Sequence, residues 1–480
     1  MLLKHSGIYL LSRIIPAVIN FIAIAYYTRF LSTSHYGEYS LYMVTIGILN
    51  VLIFEWLRSS LLRFYSNYNE EKKITFMSTI FCIYGSLITL IIILSLIVYL
   101  LNKTSDIRTW SIGTLLLILI AWFELNISIL RAELNPLRSG MLLIVKSILT
   151  LIISVILLKN GLGINSIFIA TCAGILISSI YLSFKKWINM VCFKKVDWKL
   201  AKKLLIYGLP ITLALSVGII IQTSDRYLIK LLGSSEDVGI YSVGYDLANN
   251  TIYVLMSAIS SAAFPLAVNA LNIIGIQEAE RKVENNIKLF AIISIPATVG
   301  LICISNNLSY VLLGKDFQEY AKYVIQLISV AALLHGLKSF CIDVAFQLGN
   351  KPKLYIIPNV CAVILNLVLN LILIPPLGIY GSCIASILSY LVALLISWNL
   401  GKKVFKIIID LKVWKEVILA SIIMSFFIII VPDINILTLV SKLIIGVISY
   451  GVSLLIFNTL DLRSKINSSK KRFSLYRKNS

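Results

Sequence analysis

Apolar blocks of about twenty residues recur along almost the whole chain, and no other feature narrows the possible folds as much. A helix needs about that many mostly apolar residues to cross a hydrocarbon core. Such windows open near Gly7, Tyr39, Phe76, Thr109, Met141, Ile164, Leu204, Ile240, Ile287, Tyr323, Leu354, Gly378, Val417 and Thr438. With 59% hydrophobic and 14% charged residues in 480 and a mean hydropathy of +0.91, the chain lies outside the range of soluble domains. A transmembrane barrel would show alternating segments of about ten residues, and these blocks do not alternate. The expectation is an all-α integral membrane protein with about fourteen transmembrane helices. The first block follows Lys4 but carries Arg13 and Asn20 and ends in no small-residue cleavage site. It reads as a retained span rather than a secretory signal.

Lysine and arginine set the orientation. With the N-terminus inside, the even-numbered connections hold Arg58, Arg63, Lys72 and Lys73, then Arg131 and Arg138, then a basic run from Lys185 to Lys203. Arg281 and Lys282, Lys351 and Lys353, Lys402 to Lys415, and the tail Arg463 to Lys478 follow on the same side. Most of the 43 basic residues then face the cytoplasm, and the opposite topology reverses the ratio. Both termini are expected inside. The net charge of +21 is then a topology signal with attraction to anionic membrane lipid, and no nucleic-acid partner is expected. The seven cysteines are scattered, with no CxxC pair, and read as packing residues rather than disulfides or metal ligands.

The chain also repeats itself. Gly7 opens the first span and Gly208 the seventh. The first ends at Leu31-Ser-Thr-Ser and leads through Gly37-Glu-Tyr39-Ser40; the seventh ends at Leu232-Gly-Ser-Ser and leads through Gly239-Ile-Tyr241-Ser242. Further on, Asn135 and Arg138 match Asn350 and Lys353, Leu162-Gly163-Ile164 matches Leu377-Gly378-Ile379, and Ile169-Ala170-Thr171 matches Ile384-Ala385-Ser386, all at one offset. Six spans per copy give both copies the same orientation, a parallel repeat of the kind transporters use to place a cavity between two lobes. The expected organisation is an N-terminal lobe over 1–184, a basic cytoplasmic linker over 185–203 and a second lobe over 204–400. Two extra spans over 401–460 and a basic tail over 461–480 complete it.

Signs of catalysis are lacking. There is no HExxH, GxSxG, Walker A or CxxC pattern, and no cofactor, metal or catalytic residue is expected. A lone histidine in a span, His335, is more often packed than a ligand. External loops are short, the longest from Asn306 to Glu319, which argues against a membrane glycosyltransferase or polymerase. The informative residues are the ionisable ones inside spans: Arg13, Glu55, Glu124, Lys146, Asp225, Arg226, Asp246, Lys338 and Asp343. Each costs about 2.5–3.5 kcal/mol at mid-helix, so such residues usually face a cavity or a partner. Glu55 and Arg58 are spaced for a local pair. Arg13 and Lys146 either line a cavity or snorkel to the surface. Glu124 is either a proton or cation site or a partner of Lys146. Asp225 and Arg226, adjacent on one helix, cannot simply neutralise each other, and Asp246 in the next span is a candidate partner. Together Arg13, Lys146, Arg226 and Lys338 would make a cationic cavity, with Glu124, Asp225 and Asp246 as ion-coupling candidates. Such a cavity favours an anion, and phosphate suits an Arg clamp with Lys point charges.

Tyr207-Gly-Leu-Pro210, Ser224-Asp225-Arg226-Tyr227 and Val238-Gly-Ile-Tyr241-Ser242 resemble the middle of the polysaccharide transporters. These are the O-antigen and capsule repeat-unit flippases of the multidrug/oligosaccharidyl-lipid/polysaccharide exporter superfamily. Thr28-Arg29-Phe30-Leu31 with Tyr36-Gly37-Glu-Tyr39-Ser40 resembles that family's first loop, and Gly378-Ile-Tyr-Gly381-Ser with Ile384-Ala385-Ser386 its twelfth span. The resemblance implies a two-lobed bundle in the bacterial inner membrane that moves an undecaprenyl-pyrophosphate-linked oligosaccharide to the outer leaflet by alternating access, coupled to an ion gradient. It also implies a polysaccharide polymerase and chain-length machinery as partners. A lipid II flippase and a cation-coupled multidrug exporter of the same superfamily are the rival readings.

Overall fold

A computed structural model of the chain describes residues 2–101, 107–133 and 135–459, and among these residues the regular structure is helical throughout. In chain order the helices are α1 (Leu2–Phe30), α2 (Thr33–Phe64), α3 (Glu70–Leu101), α4 (Ile107–Ala132), α5 (Pro136–Lys159), α6 (Asn165–Met190), α7 (Trp198–Leu232) and α8 (Ser235–Ile273). They continue with α9 (Ile276–Leu312), α10 (Lys315–Leu337), a short α11 (Val344–Leu348), α12 (Ile356–Leu377), α13 (Ile379–Gly401), α14 (Leu411–Ile430) and α15 (Ile436–Ile456). Among the described residues twelve helices, counting α10 with α11 as one, are long and apolar enough to cross a membrane; Ile15–Phe30 and Asn165–Ile180 are apolar but shorter. Together they account for the fourteen apolar windows. Large apolar side chains such as Leu94, Leu100, Phe426 and Val447 point outward, while Phe76, Phe123 and Phe168 are fully buried. That is the pattern of a bundle whose surroundings are themselves apolar. The expected tail, 461–480, lies outside the described residues.

Short polar signals start the helices. Asn135 accepts from the Arg138 N–H with Pro136 in the first turn, Asp197 accepts from the Lys199 and Leu200 N–H groups, and Asn435 forms a capping box with Thr438. Each cap satisfies donors that a helix start leaves unpaired. The stretch from Lys185 to Lys203, read as a linker, is mostly helix: α6 runs to Met190 and α7 starts at Trp198.

Two compact units emerge, Met1–Ser242 with Leu367–Ile379, and Val243–Asn366 with Tyr380–Ser480. The first reaches past α6 because α7 packs along α2. In the second, α14 and α15 pack on α9. There Lys288 bridges Glu284 at 2.7 Å and Asp410 at 2.9 Å, and Asp410 caps α14. The Lys288 ammonium, donating to it, holds the Asp410 carboxyl below the usual carboxylate range.

Within the first unit the repeated motif meets its own copy. A methyl group placed on Gly37 would lie 1.9 Å from the Ser235 carbonyl oxygen, and one on Gly239 would lie 2.0 Å from that of Thr33. The starts of α2 and α8 therefore cross backbone against backbone. Ser40 and Ser242, 202 residues apart, close the contact through a 2.7 Å hydroxyl hydrogen bond. At the other end of α2, Gly208 of α7 approaches Trp56, where a methyl group would lie 2.1 Å from the carbonyl oxygen. The Ser60 hydroxyl donates to the Leu204 carbonyl at 2.7 Å. The two crossings are about 30 Å apart at the helical rise, roughly the thickness of the hydrocarbon core. Elsewhere the repeat shows in the backbone: matching Gly163 and Gly378 take φ of 54° and 57°, a left-handed conformation that glycine adopts without strain. Gly37→Ala and Gly239→Ala are each expected to lose about 1–3 kcal/mol through overpacking. Thermal unfolding in detergent reads this, with Gly47→Ala, whose site is open, as the unaffected control.

Candidate substrate site

In the first unit Asp225 of α7 is buried and holds two neutral hydrogen bonds. The Tyr241 hydroxyl donates to its Oδ2 at 2.7 Å, and the Asn370 amide donates to its Oδ1 at 2.7 Å. A carboxylate only accepts, so Asn370 must present its NH2 group here. These bonds orient the carboxylate. Arg226, the next residue, is buried as well.

Lys146 of α5 is half-buried, with its ammonium 4.6 Å from the centroid of the Phe123 ring. Such a cation–π contact is worth about 0.5–2 kcal/mol, depending on desolvation. Glu124 of α4 attracts the ammonium. Among the described residues, however, no ion pair or hydrogen bond closes on either side chain. The two charges are near each other and unspent. A desolvated ammonium in that condition can take an incoming anion without first breaking a salt bridge.

Other intramembrane charges are committed. Arg58 pairs with Glu55 at 2.6 Å and donates to Asn50 Oδ1 at 2.7 Å, while Ser59 donates to the second Glu55 oxygen at 3.0 Å. In the second unit Lys338 is 1% exposed. It begins a π-turn, Lys338–Ile342, in which the Asp343 N–H reaches back to the Lys338 carbonyl at 2.8 Å. Its ammonium donates to Asp343 Oδ2 at 2.7 Å and to Asn359 Oδ1 at 2.8 Å, and lies 4.8 Å from the Tyr355 ring centroid. Two of its three donors are taken by these hydrogen bonds. His335 is stacked between Tyr253 and Tyr390, each 4.5 Å away.

Of the residues assigned from sequence to a cationic cavity, Lys146 and Arg226 lie in the first unit and Lys338 in the second. Arg13 lies in α1, and its side chain falls outside the described residues. Of the coupling candidates, Glu124 faces Lys146, Asp225 faces Tyr241 and Asn370, and Asp246 is half-buried on α8 in the second unit. The sequence reading missed Asn370 and Asn359. Asn370 was marked only by being polar, four residues after Asn366, in an otherwise apolar run.

Removing one partner of a buried pair costs about 3–5 kcal/mol, whereas replacing both by apolar groups is often neutral. Lys338→Met alone is therefore expected to destabilise strongly, and Lys338→Met with Asp343→Leu to recover most of the loss in a double-mutant cycle of melting temperatures. A stable double variant that transports normally would assign the pair to structure. A stable but inactive one would place Lys338 in the transport path.

Comparison with known proteins bears on the whole chain. The family model for "Polysaccharide biosynthesis protein" matches residues 2–271, and the MatE model matches residues 210–372. A probable low-salt glycan biosynthesis flippase, Agl15 of Haloferax volcanii, is 25% identical over 404 residues, covering 81% of each chain. Among solved structures, the inward closed conformation of the lipid II flippase MurJ superposes with a TM-score of 0.75 at 18% identity, over 97% of this chain and 100% of that one. An inward-facing multidrug resistance MATE family transporter gives 0.65 at 13% identity, over 82% and 97%. At those identities the structural likeness shows the fold alone.

Proposed function

The chain belongs to the family of polysaccharide biosynthesis proteins within the multidrug/oligosaccharidyl-lipid/polysaccharide superfamily, and from that membership we propose that it is a flippase for a lipid-linked oligosaccharide. The observation that carries the reading is Lys146, a desolvated ammonium left unbonded beside Phe123 and Glu124. A diphosphate linkage between lipid and sugar is the anion such a group suits, with Arg226 as a bidentate clamp. The likeness to Agl15 of Haloferax volcanii, a probable low-salt glycan biosynthesis flippase, supports the same substrate class. The protein is thus a transporter rather than an enzyme.

The finer reading names the substrate as an undecaprenyl-pyrophosphate-linked repeat unit of O-antigen or another surface polysaccharide. It is moved from the cytoplasmic to the outer leaflet of a bacterial cytoplasmic membrane, with both termini inside. The repeat-related lobes, 1–184 and 204–400, alternate access, and Glu124, Asp225 and Asp246 are the candidates for coupling to an ion gradient. Polymerase and chain-length proteins would receive the product. Alternating access requires the glycine crossings at the two ends of α2 to open in turn.

Outward movement of an undecaprenyl-pyrophosphate oligosaccharide in proteoliposomes, read by an external sugar-modifying enzyme, tests the function. Protein-dependent exposure is expected. Lys146→Ala and Arg226→Ala should insert normally and flip at least about tenfold more slowly, the worth of one charged hydrogen bond. Full rates in both would remove the cavity assignment and leave the family intact. Uptake of an organic cation without sugar exposure would favour the drug-exporter reading. For the gating step, Ser40→Cys with Ser242→Cys, in a background lacking the native cysteines, should stop flipping on oxidation and restore it on reduction.

A further inference from the structure

The connection between α6 and α7 holds none of the residues assigned above to the transport path, yet it is anchored to α3. Phe193–Lys195 is a 3-10 turn. On one side of that turn the Cys192 N–H donates to Ser78 Oγ at 2.8 Å; on the other the Asp197 N–H donates to Thr79 Oγ1 at 3.0 Å. Both acceptors are on α3. Near the end of α6 the buried Trp187 donates through Nε1 to Asn126 Oδ1 at 2.8 Å, and Asp197 caps α7. The segment cannot swing freely, so what it exposes is presented in a fixed arrangement.

What it exposes is unusual for a polar connection. Phe193 and Trp198 are 69% and 65% exposed. Lys194, Lys195, Lys199 and Lys202 are exposed around them, and none is ion-paired among the described residues. Lys203, by contrast, is occupied over the Phe64 ring at 4.9 Å. The segment lies where two apolar helices end, the level at which a membrane meets water. At that level aromatic rings settle among headgroups, and lysines find the phosphates of anionic lipid.

We propose that residues 191–202 are a membrane-interface foot that binds anionic phospholipid. Lys194, Lys195, Lys199 and Lys202 hold the phosphates, and Phe193 and Trp198 sit in the headgroup layer. The bonds to Ser78 and Thr79 fix the foot to α3, so the bound lipid becomes an annulus at one corner of the first unit. The proposal does not rest on the flippase reading, and its test uses no glycan.

The full-length protein is purified from nanodiscs of mixed phosphatidylglycerol and phosphatidylcholine, and the retained lipid is counted by native mass spectrometry. Native protein is expected to enrich phosphatidylglycerol. Lys194→Gln, Lys195→Gln, Lys199→Gln and Lys202→Gln together should lower that enrichment at least about fivefold with an unchanged melting temperature. The comparison variant carries Lys402→Gln, Lys403→Gln, Lys406→Gln and Lys412→Gln and should keep it. Unchanged enrichment in the first variant, or equal loss in both, overturns the proposal, the latter by showing that net charge alone is responsible. Separately, quenching by brominated phosphatidylglycerol should fall in Trp198→Phe. Equal quenching in native and variant protein would place Trp198 outside the lipid and count against the foot.

Discussion

Lipid does not push helices together. A leucine gains nothing by leaving acyl chains for another leucine, so helices in a bilayer associate through close fit and local polar contacts. The crossings of α2 are where this constraint is met most tightly. Gly37 and Gly239 let two backbones touch, and the Ser40–Ser242 hydrogen bond adds a polar clasp. At the opposite end Gly208 and Ser60 do the same between α2 and α7. Contacts built from small residues have little side-chain entropy to lose, and they can part without dragging large groups through their neighbours. The first unit extends beyond α6 for this reason.

The same apolar surroundings sort the buried charges into two kinds. Glu55 with Arg58, and Lys338 with Asp343, are closed by short ion pairs and further hydrogen bonds. Lys146 is attracted by Glu124 and left open. In a medium that makes an unpaired charge expensive, an open charge is a site for something that arrives later. Asp225 is positioned by hydrogen bonds from Tyr241 and Asn370.

Much of the fold was legible because the bilayer imposes one dominant rule, an apolar stretch of fixed length, and among the described residues twelve of the fourteen windows obey it in full. The repeat was legible too, since Gly37 and Gly239, or Gly163 and Gly378, are glycines for backbone reasons that act alike in both copies. The site was only partly legible. Depth along a helix can be counted from sequence, but azimuth cannot, so Lys146 and Lys338 looked alike as buried lysines. Their difference lies in neighbours far away in the chain or across an irregular turn: Phe123 for one, Asp343 and Asn359 for the other. The π-turn that joins Lys338 to Asp343 leaves no periodic signature in a uniformly apolar helix.

That turn also fixes the length of its helix. A π-turn holds one residue more than the regular spiral, and each residue advances the helix by about 100°. Val344, Ala345 and Phe346, all buried after the turn, therefore keep their direction because the π-turn absorbs that additional residue. Forcing the same residues into a regular spiral would turn the segment after the turn by about 100°. Deleting one residue between Lys338 and Asp343 would instead let the helix run regular with that segment still in phase. Among related chains the turn should therefore tolerate loss of a single position, with reversion to a regular spiral, more readily than the regular helix on either side of it.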